Sequence, residues 1–203
     1  MKKLLSVFTI ALIAATACEK SKSKQRLYEV NSTTSVAEWK GAAPDHFHVG
    51  SFAVKGSLTA EENGAVKDGS FLIPIASIQD FDLQDPDIKK QLLDHLKSPD
   101  FFNMAVHPNA EFKISKIEPY AGNDEDAVAN ANKLVTGNFS MVGQTHPITF
   151  PARINTVGDS LKVEATLKID RTKWGMTKYT DPASPEYIIP DADIHLKMQA
   201  ARK

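Results

Sequence analysis

The 203-residue chain has a single cysteine, Cys18. An intrachain disulfide needs two, so the fold must be held by its apolar core. No charge of one sign prevails: 24 Lys and Arg against 25 Asp and Glu leave a formal net charge of -1. That balance excludes the basic footprint expected of a nucleic-acid binder. Beyond residue 18 there is no apolar run long enough to span a bilayer as a helix. Also missing are G-x-S-x-G, H-E-x-x-H and a phosphate-cradling glycine loop, and no cysteine nucleophile follows Cys18. The carboxylates fall in turns, and no spacing pairs them across a cleft. Hydrolytic chemistry therefore finds little support.

The beginning of the chain reads as an export signal. Lys2 and Lys3 precede an apolar stretch over residues 4–14, followed by Ala15-Thr16-Ala17-Cys18. Residues 1–18 resemble a bacterial lipoprotein signal that ends in a lipidated Cys18. An ordinary secretory signal is the alternative, and either one exports the protein. Residues 19–26 (E-K-S-K-S-K-Q-R) are polar and mostly basic, and read as a tether. The expected location is the periplasmic side of a bacterial envelope. Glu19 after the cysteine leans toward an outer-membrane rather than an inner-membrane anchor.

Residues 27–203 read as one domain dominated by strands. Residues 161–171 (L-K-V-E-A-T-L-K-I-D-R) are the clearest case: every odd position is apolar until Arg171, and every even position is polar. Successive strand side chains point to opposite faces, so one face is an apolar wall that ends in a cation. Similar alternation occurs over residues 34–39, 46–59, 66–75, 110–114, 135–141, 148–154 and 194–200. Pro147 and Pro151 suggest that their strand is irregular or at an edge. The period changes at Asp85-Pro86-Asp87, a good helix start. Ile88, Leu92 and Leu96 form a packing stripe there, and Ser98-Pro99 ends the helix. The acidic stretch over residues 121–132 reads as an exposed hairpin loop. The expected fold is all-β: an elongated antiparallel barrel of about eight strands with one inserted α-helix, its last strand able to pair with its first.

His95-Leu96-Lys97-Ser98-Pro99-Asp100-Phe101-Phe102, followed by His107-Pro108 and Phe112, resembles the central signature of the YceI-like polyisoprenoid-binding family. Ser35-Val36 before Trp39, the run from His48 to Phe52 with Gly56, Val135-Thr136-Gly137 through Gly143-Gln144-Thr145, and Asp170-Arg171-Thr172-Lys173-Trp174-Gly175 follow the same order. The resemblance covers roughly residues 27–200. It implies a lipocalin-like barrel, exported, with an apolar tunnel that carries an isoprenoid pyrophosphate or a quinone-like amphiphile. Two departures concern the rim. Gly143-Gln144-Thr145-His146 replaces a simpler Gly-Val-Thr-Lys, and the acidic loop is long.

Arg171 and His48 are candidate head-group contacts, with Lys173 on the parity of Arg171. A strand-end arginine could equally pair with Asp94 or Asp100. Phe52, Val54, Phe112, Phe139, Met141, Phe150, Leu167, Ile169 and Met198 have inward parity. They line either a tunnel or a solid core, with Phe101 and Phe102 placed to plug one end. His46 and His48, two apart, could give two metal ligands if His95, His107 or His146 converged as a third, but no third lies nearby in sequence. The expectation is therefore no metal, no cofactor and no catalytic residue. The leading reading is a lipid-anchored binder or carrier of an isoprenoid-type amphiphile. A metal- or quinone-linked enzyme using His46 and His48, and a ligand-free structural or stress protein of the envelope, are the alternatives.

Overall fold

The computed structural model describes residues 24–203, so Cys18 and the stretch expected to be an export signal lie outside the described residues. Eleven strands and one helix follow in order: β1 (Gln25–Val30), β2 (Val36–Ala42), β3 (Phe47–Ala53), β4 (Lys55–Glu61), β5 (Val66–Pro74), β6 (Gln79–Asp80), α1 (Pro86–Lys97), β7 (Asn109–Pro119), β8 (Lys133–Met141), β9 (Gln144–Val157), β10 (Ser160–Asp170) and β11 (Asp191–Arg202). Because β1 starts at Gln25, the last two residues of the expected tether belong to the sheet.

Eight of these strands close an antiparallel ring in the order β1-β4-β5-β7-β8-β9-β10-β11, sealed where β11 meets β1 at Val30↔Ala200 and Tyr28↔Arg202. The other three form a flap. β2 pairs with the first half of β11, β3 with β2, and β6 with β3. Thus β11 is shared along its length: its end closes the ring on β1, and its beginning continues the wall upward on β2. No helix among the described residues is long and apolar enough to cross a membrane.

Residues 46–59, expected as one strand, are two. The chain breaks at Val54, so that β3 joins the flap while β4 pairs with β1 and β5. Gly56 sits at the break with φ +141, where a Cβ would lie 2.1 Å from the Ser70 carbonyl oxygen. Gly50 is required by a close approach: a Cβ there would lie 1.8 Å from the Gln79 carbonyl oxygen and 2.6 Å from the Trp39 ring. The prolines of β9 are explained by its partners. β9 pairs with β8 over residues 144–152 and with β10 only over residues 152–157, so Pro147 and Pro151 lie where its other side is a local edge.

The two ends of the barrel differ. At the lower end, Tyr28, Ala60, Leu161 and Ala200 are buried and close the interior. β1 pairs Gln25 with Glu61 at this end, so the chain enters the barrel from below. At the upper end lie α1, the start of β3 and the connection between β10 and β11. Asp85 caps α1 by accepting from the N–H groups of Asp87 and Ile88, as the sequence suggests. The expected stripe does not hold in full, because Ile88 is 53% exposed. Leu93 and Leu96 are the residues that pack against the upper core.

On the outer wall, Glu164 joins three strands. Its carboxylate pairs with Arg153 on β9 and lies 3.0 Å from His195 Nε2 on β11. The His195 hydrogen bond lowers the pKa of Glu164, burial opposes this, and Arg153 adds to the lowering. A carboxylate whose folded pKa is depressed stabilises the fold above its unfolded value, about 4.3 for Glu. That stability is lost as pH falls through the folded value. Denaturant titrations should therefore show stability flat near neutrality and falling below about pH 4.3. Glu164→Gln should flatten the fall, and an unchanged acid limb would rule Glu164 out.

Candidate functional site

The apolar faces of the barrel strands do not fill its interior above the sealed lower end. They enclose a cavity of about 290 Å³, at the small end of the ~300–1,000 Å³ typical of ligand pockets. Along β10 its lining runs from Val163 to Ile169, six strand steps or roughly 20 Å, before it reaches Arg171. The space is therefore long and narrow, suited to one slender chain. Phe52, Val54, Phe112, Phe139, Met141, Phe150, Leu167, Ile169 and Met198 all line it. Sequence parity did not reveal the upper lining, which comes from Trp39 on the flap, Leu92 and Leu96 on α1, and Ile188 and Ile189 on the last connection. Leu92 and Leu96 are lining residues rather than packing alone. Phe101 and Phe102 close over them, with Phe102 in an edge contact to Phe52 at 5.4 Å between ring centres.

Among the described residues, five ionisable ones reach this lining, His46, His48, His95, Arg171 and Asp191, all toward the upper end. Arg171 is 7% exposed. It opens a 3₁₀ turn, Arg171–Trp174, one residue past the end of β10. Its Nη1 donates to the Met176 carbonyl and its Nη2 to the Ile188 carbonyl at 3.1 Å. Its Nε is buried without a hydrogen-bond partner, and the guanidinium lies 5.6 Å from the centre of the Phe101 ring. Burial lowers its pKa, opposed by the nearby Asp170 and Tyr187, but a guanidinium stays charged at neutral pH.

The alternative for Arg171, a salt bridge to Asp94 or Asp100, does not form. Asp94 pairs with Lys90, and Asp100 lies near His95 and Lys178. Among the described residues, Arg171 has no carboxylate partner within salt-bridge distance. Two backbone carbonyls hold it at the upper end of the cavity, and Asp170 acts on its charge only from beyond salt-bridge distance. Lys173 does not share this position: the 3₁₀ turn breaks strand parity, and its side chain is exposed to solvent.

His48 is half-buried and lines the cavity, with Nδ1 2.8 Å from Asp82 Oδ2. His46 is exposed, with Nδ1 2.7 Å from Asp45. The two rings meet edge to face at 5.5 Å, but among the described residues no third ligand converges on the pair. The group that does gather around His48 is Asp80 and Asp82, with ligand atoms within 4.8 Å of one another. Sequence spacing gave no sign of it, because β6 reaches β3 only through the flap.

The YceI-like domain family matches residues 28–200. A UPF0312 protein of Azotobacter vinelandii is 30% identical over 115 residues, 54% of this chain and 53% of that protein. A second, from Enterobacter, is 32% identical over 98 residues, 45% and 46% of the two chains. The chain thus matches about half the length of these relatives. Among solved structures, BcnA of Burkholderia cenocepacia superposes with a TM-score of 0.66 at 21% identity, covering 85% of this chain and 99% of that one. A polyisoprenoid binding domain from Saccharophagus degradans, implicated in plant cell wall breakdown, gives 0.62 at 10% identity, covering 87% and 98%.

Proposed function

The chain belongs to the YceI-like family, and on that premise we propose that its barrel binds, without transforming, an amphiphile with an isoprenoid-type tail and an anionic or strongly polar head. The observation that carries this reading is Arg171: a buried cation with no carboxylate partner, at the upper end of an apolar cavity. Such a charge is costly unless an anion arrives to share it. Arginine's fork suits phosphate or a quinone-like oxygen. His48 would be the second polar contact, through the ring nitrogen that Asp82 does not engage. The Saccharophagus domain, which shares the fold and is named for binding polyisoprenoids, supports the choice of tail.

Magnitudes set the tail length. A buried methylene contributes about 0.8 kcal/mol, whereas association costs about 4–15 kcal/mol. A tail must therefore bury on the order of ten carbons before binding is useful. Protein purified in its native state should release a prenyl lipid on solvent extraction, identified by mass spectrometry, and lipid-free protein should melt higher when that lipid is returned. Extracts without lipid, together with no thermal shift from any prenyl phosphate or quinone, would refute the reading.

Export and anchoring through Cys18 are part of the proposal. The start of β1 lies at the sealed end, opposite the polar end of the cavity. A short anchor there would direct the mouth away from the anchoring membrane, toward a carrier or a facing membrane. That orientation suits transfer.

A further inference from the structure

β6 is only two residues long, yet it and the turn after it carry Asp80 and Asp82 against β3. Asp80 is 5% exposed overall. Its Oδ1 accepts from the Leu83 N–H at 3.0 Å, and its Oδ2 is buried with no hydrogen-bond partner. Asp82 accepts from the Val49 N–H at 2.8 Å and lies 2.8 Å from His48 Nδ1. One donor atom from each of His48, Asp80 and Asp82 lies within 4.8 Å of the other two. Lys89 is the cation beside them, with Nζ 3.8 Å from Asp80 Oδ1 and donating to the Asp80 backbone carbonyl at 3.1 Å. It offsets one of the two carboxylate charges and leaves Asp80 Oδ2 unpartnered.

We propose that His48, Asp80 and Asp82 form a binding site for a divalent transition-metal cation at the mouth of the barrel. Two carboxylates in close approach need a proton or a cation between them. A buried oxygen left without a donor costs stability that a cation would recover. One imidazole and two carboxylates are donors that zinc accepts, with a fourth position left for water or for a ligand oxygen. Because His48 also lines the cavity, a bound cation would add positive charge at the end where Arg171 already stands.

The test is calorimetric titration of full-length, tag-free, chelator-stripped and lipid-extracted protein with zinc chloride, with magnesium chloride as the comparison. The expected result is saturable one-to-one zinc binding and a raised melting temperature, with no comparable response to magnesium. Affinity should fall at least tenfold in Asp80→Asn and in His48→Gln and be unchanged in His195→Gln, since His195 is tied to Glu38 and Glu164 on the outer wall. Should Asp80→Asn not fold, the His48 ring resonances of the native protein supply the readout, because zinc must shift them on binding. Absence of saturable binding, unchanged affinity in a folded Asp80→Asn protein, or binding that leaves the His48 resonances unmoved would each overturn the proposal. Failure here leaves the lipid reading standing, because that is judged on extracted prenyl lipid.

Discussion

Arg171→Met should abolish the preference for anionic amphiphiles while leaving the barrel folded. Hydrogen bonds to charged groups are worth about 1.5–3 kcal/mol, so affinity for a prenyl phosphate should fall roughly 10- to 150-fold. A prenyl alcohol of the same tail length should lose far less. Stability should change by no more than about 2 kcal/mol, because two effects oppose each other. Removing a buried charge that lacks a carboxylate partner is favourable, whereas leaving the Met176 and Ile188 carbonyls without their donor is not. Those two carbonyls also define the competing account. Arg171 pins the connection between β10 and β11, whose Met176 and Ile188 line the cavity. If pinning were its whole role, the variant would weaken charged and neutral amphiphiles equally, and proteolysis of that connection would rise in step. Parallel titrations with the two lipids separate these outcomes. Equal loss for both would end the case for Arg171 as the head-group contact.

The sequence was legible where a single rule decided the structure. β10 has a strict period of two and one buried face, so its inward residues could be named without a structure. The nine apolar residues named from parity lie in the cavity lining, Phe52 on the flap strand β3 and the others below it, among further apolar residues such as Phe71, Ile114 and Ile148. What parity could not supply was tertiary. The flap of β2, β3 and β6 forms because the long β11 has spare edge above β1, and nothing local encodes that. Ile88 repeats at helical spacing, yet it is exposed because the neighbours that seat the helix are Leu93 and Leu96. Lys173 failed for a reason that was readable: Asp170 caps the turn by accepting from the Thr172 N–H, and Gly175 ends it at φ +86. Asp170 and Gly175 thus bracket a 3₁₀ turn, not a continuing strand. Pairing Arg171 with Asp94 or Asp100 took both carboxylates as free, whereas lysines near each of them already supply positive charge.

Phe150→Ala should be the most damaging of these changes to the empty protein and the one most readily relieved by ligand. Phe150 is buried on β9, packs at 5.6 Å from the Phe112 ring and lines the cavity. Truncating a buried phenylalanine costs about 3–5 kcal/mol, partly as lost transfer energy and partly as the void left behind. Here the void adjoins an existing cavity, so no single neighbour can collapse into it. That places the cost toward the upper part of the range in lipid-free protein. A ligand changes the balance, because it binds the folded barrel alone and stabilises it by RT ln(1 + [L]/Kd). A tail that fills the enlarged space also recovers contacts that Phe150 used to make. Urea titrations of lipid-free and lipid-saturated protein should therefore show a smaller loss with lipid present. The preferred tail should become longer or more branched than in the native protein. A solid core offers neither effect: it would give the same loss with and without lipid, and no change in tail preference. Comparison of the two titrations thus decides whether the apolar interior between β8, β9 and β10 is a tunnel that holds a chain or a core that holds only itself.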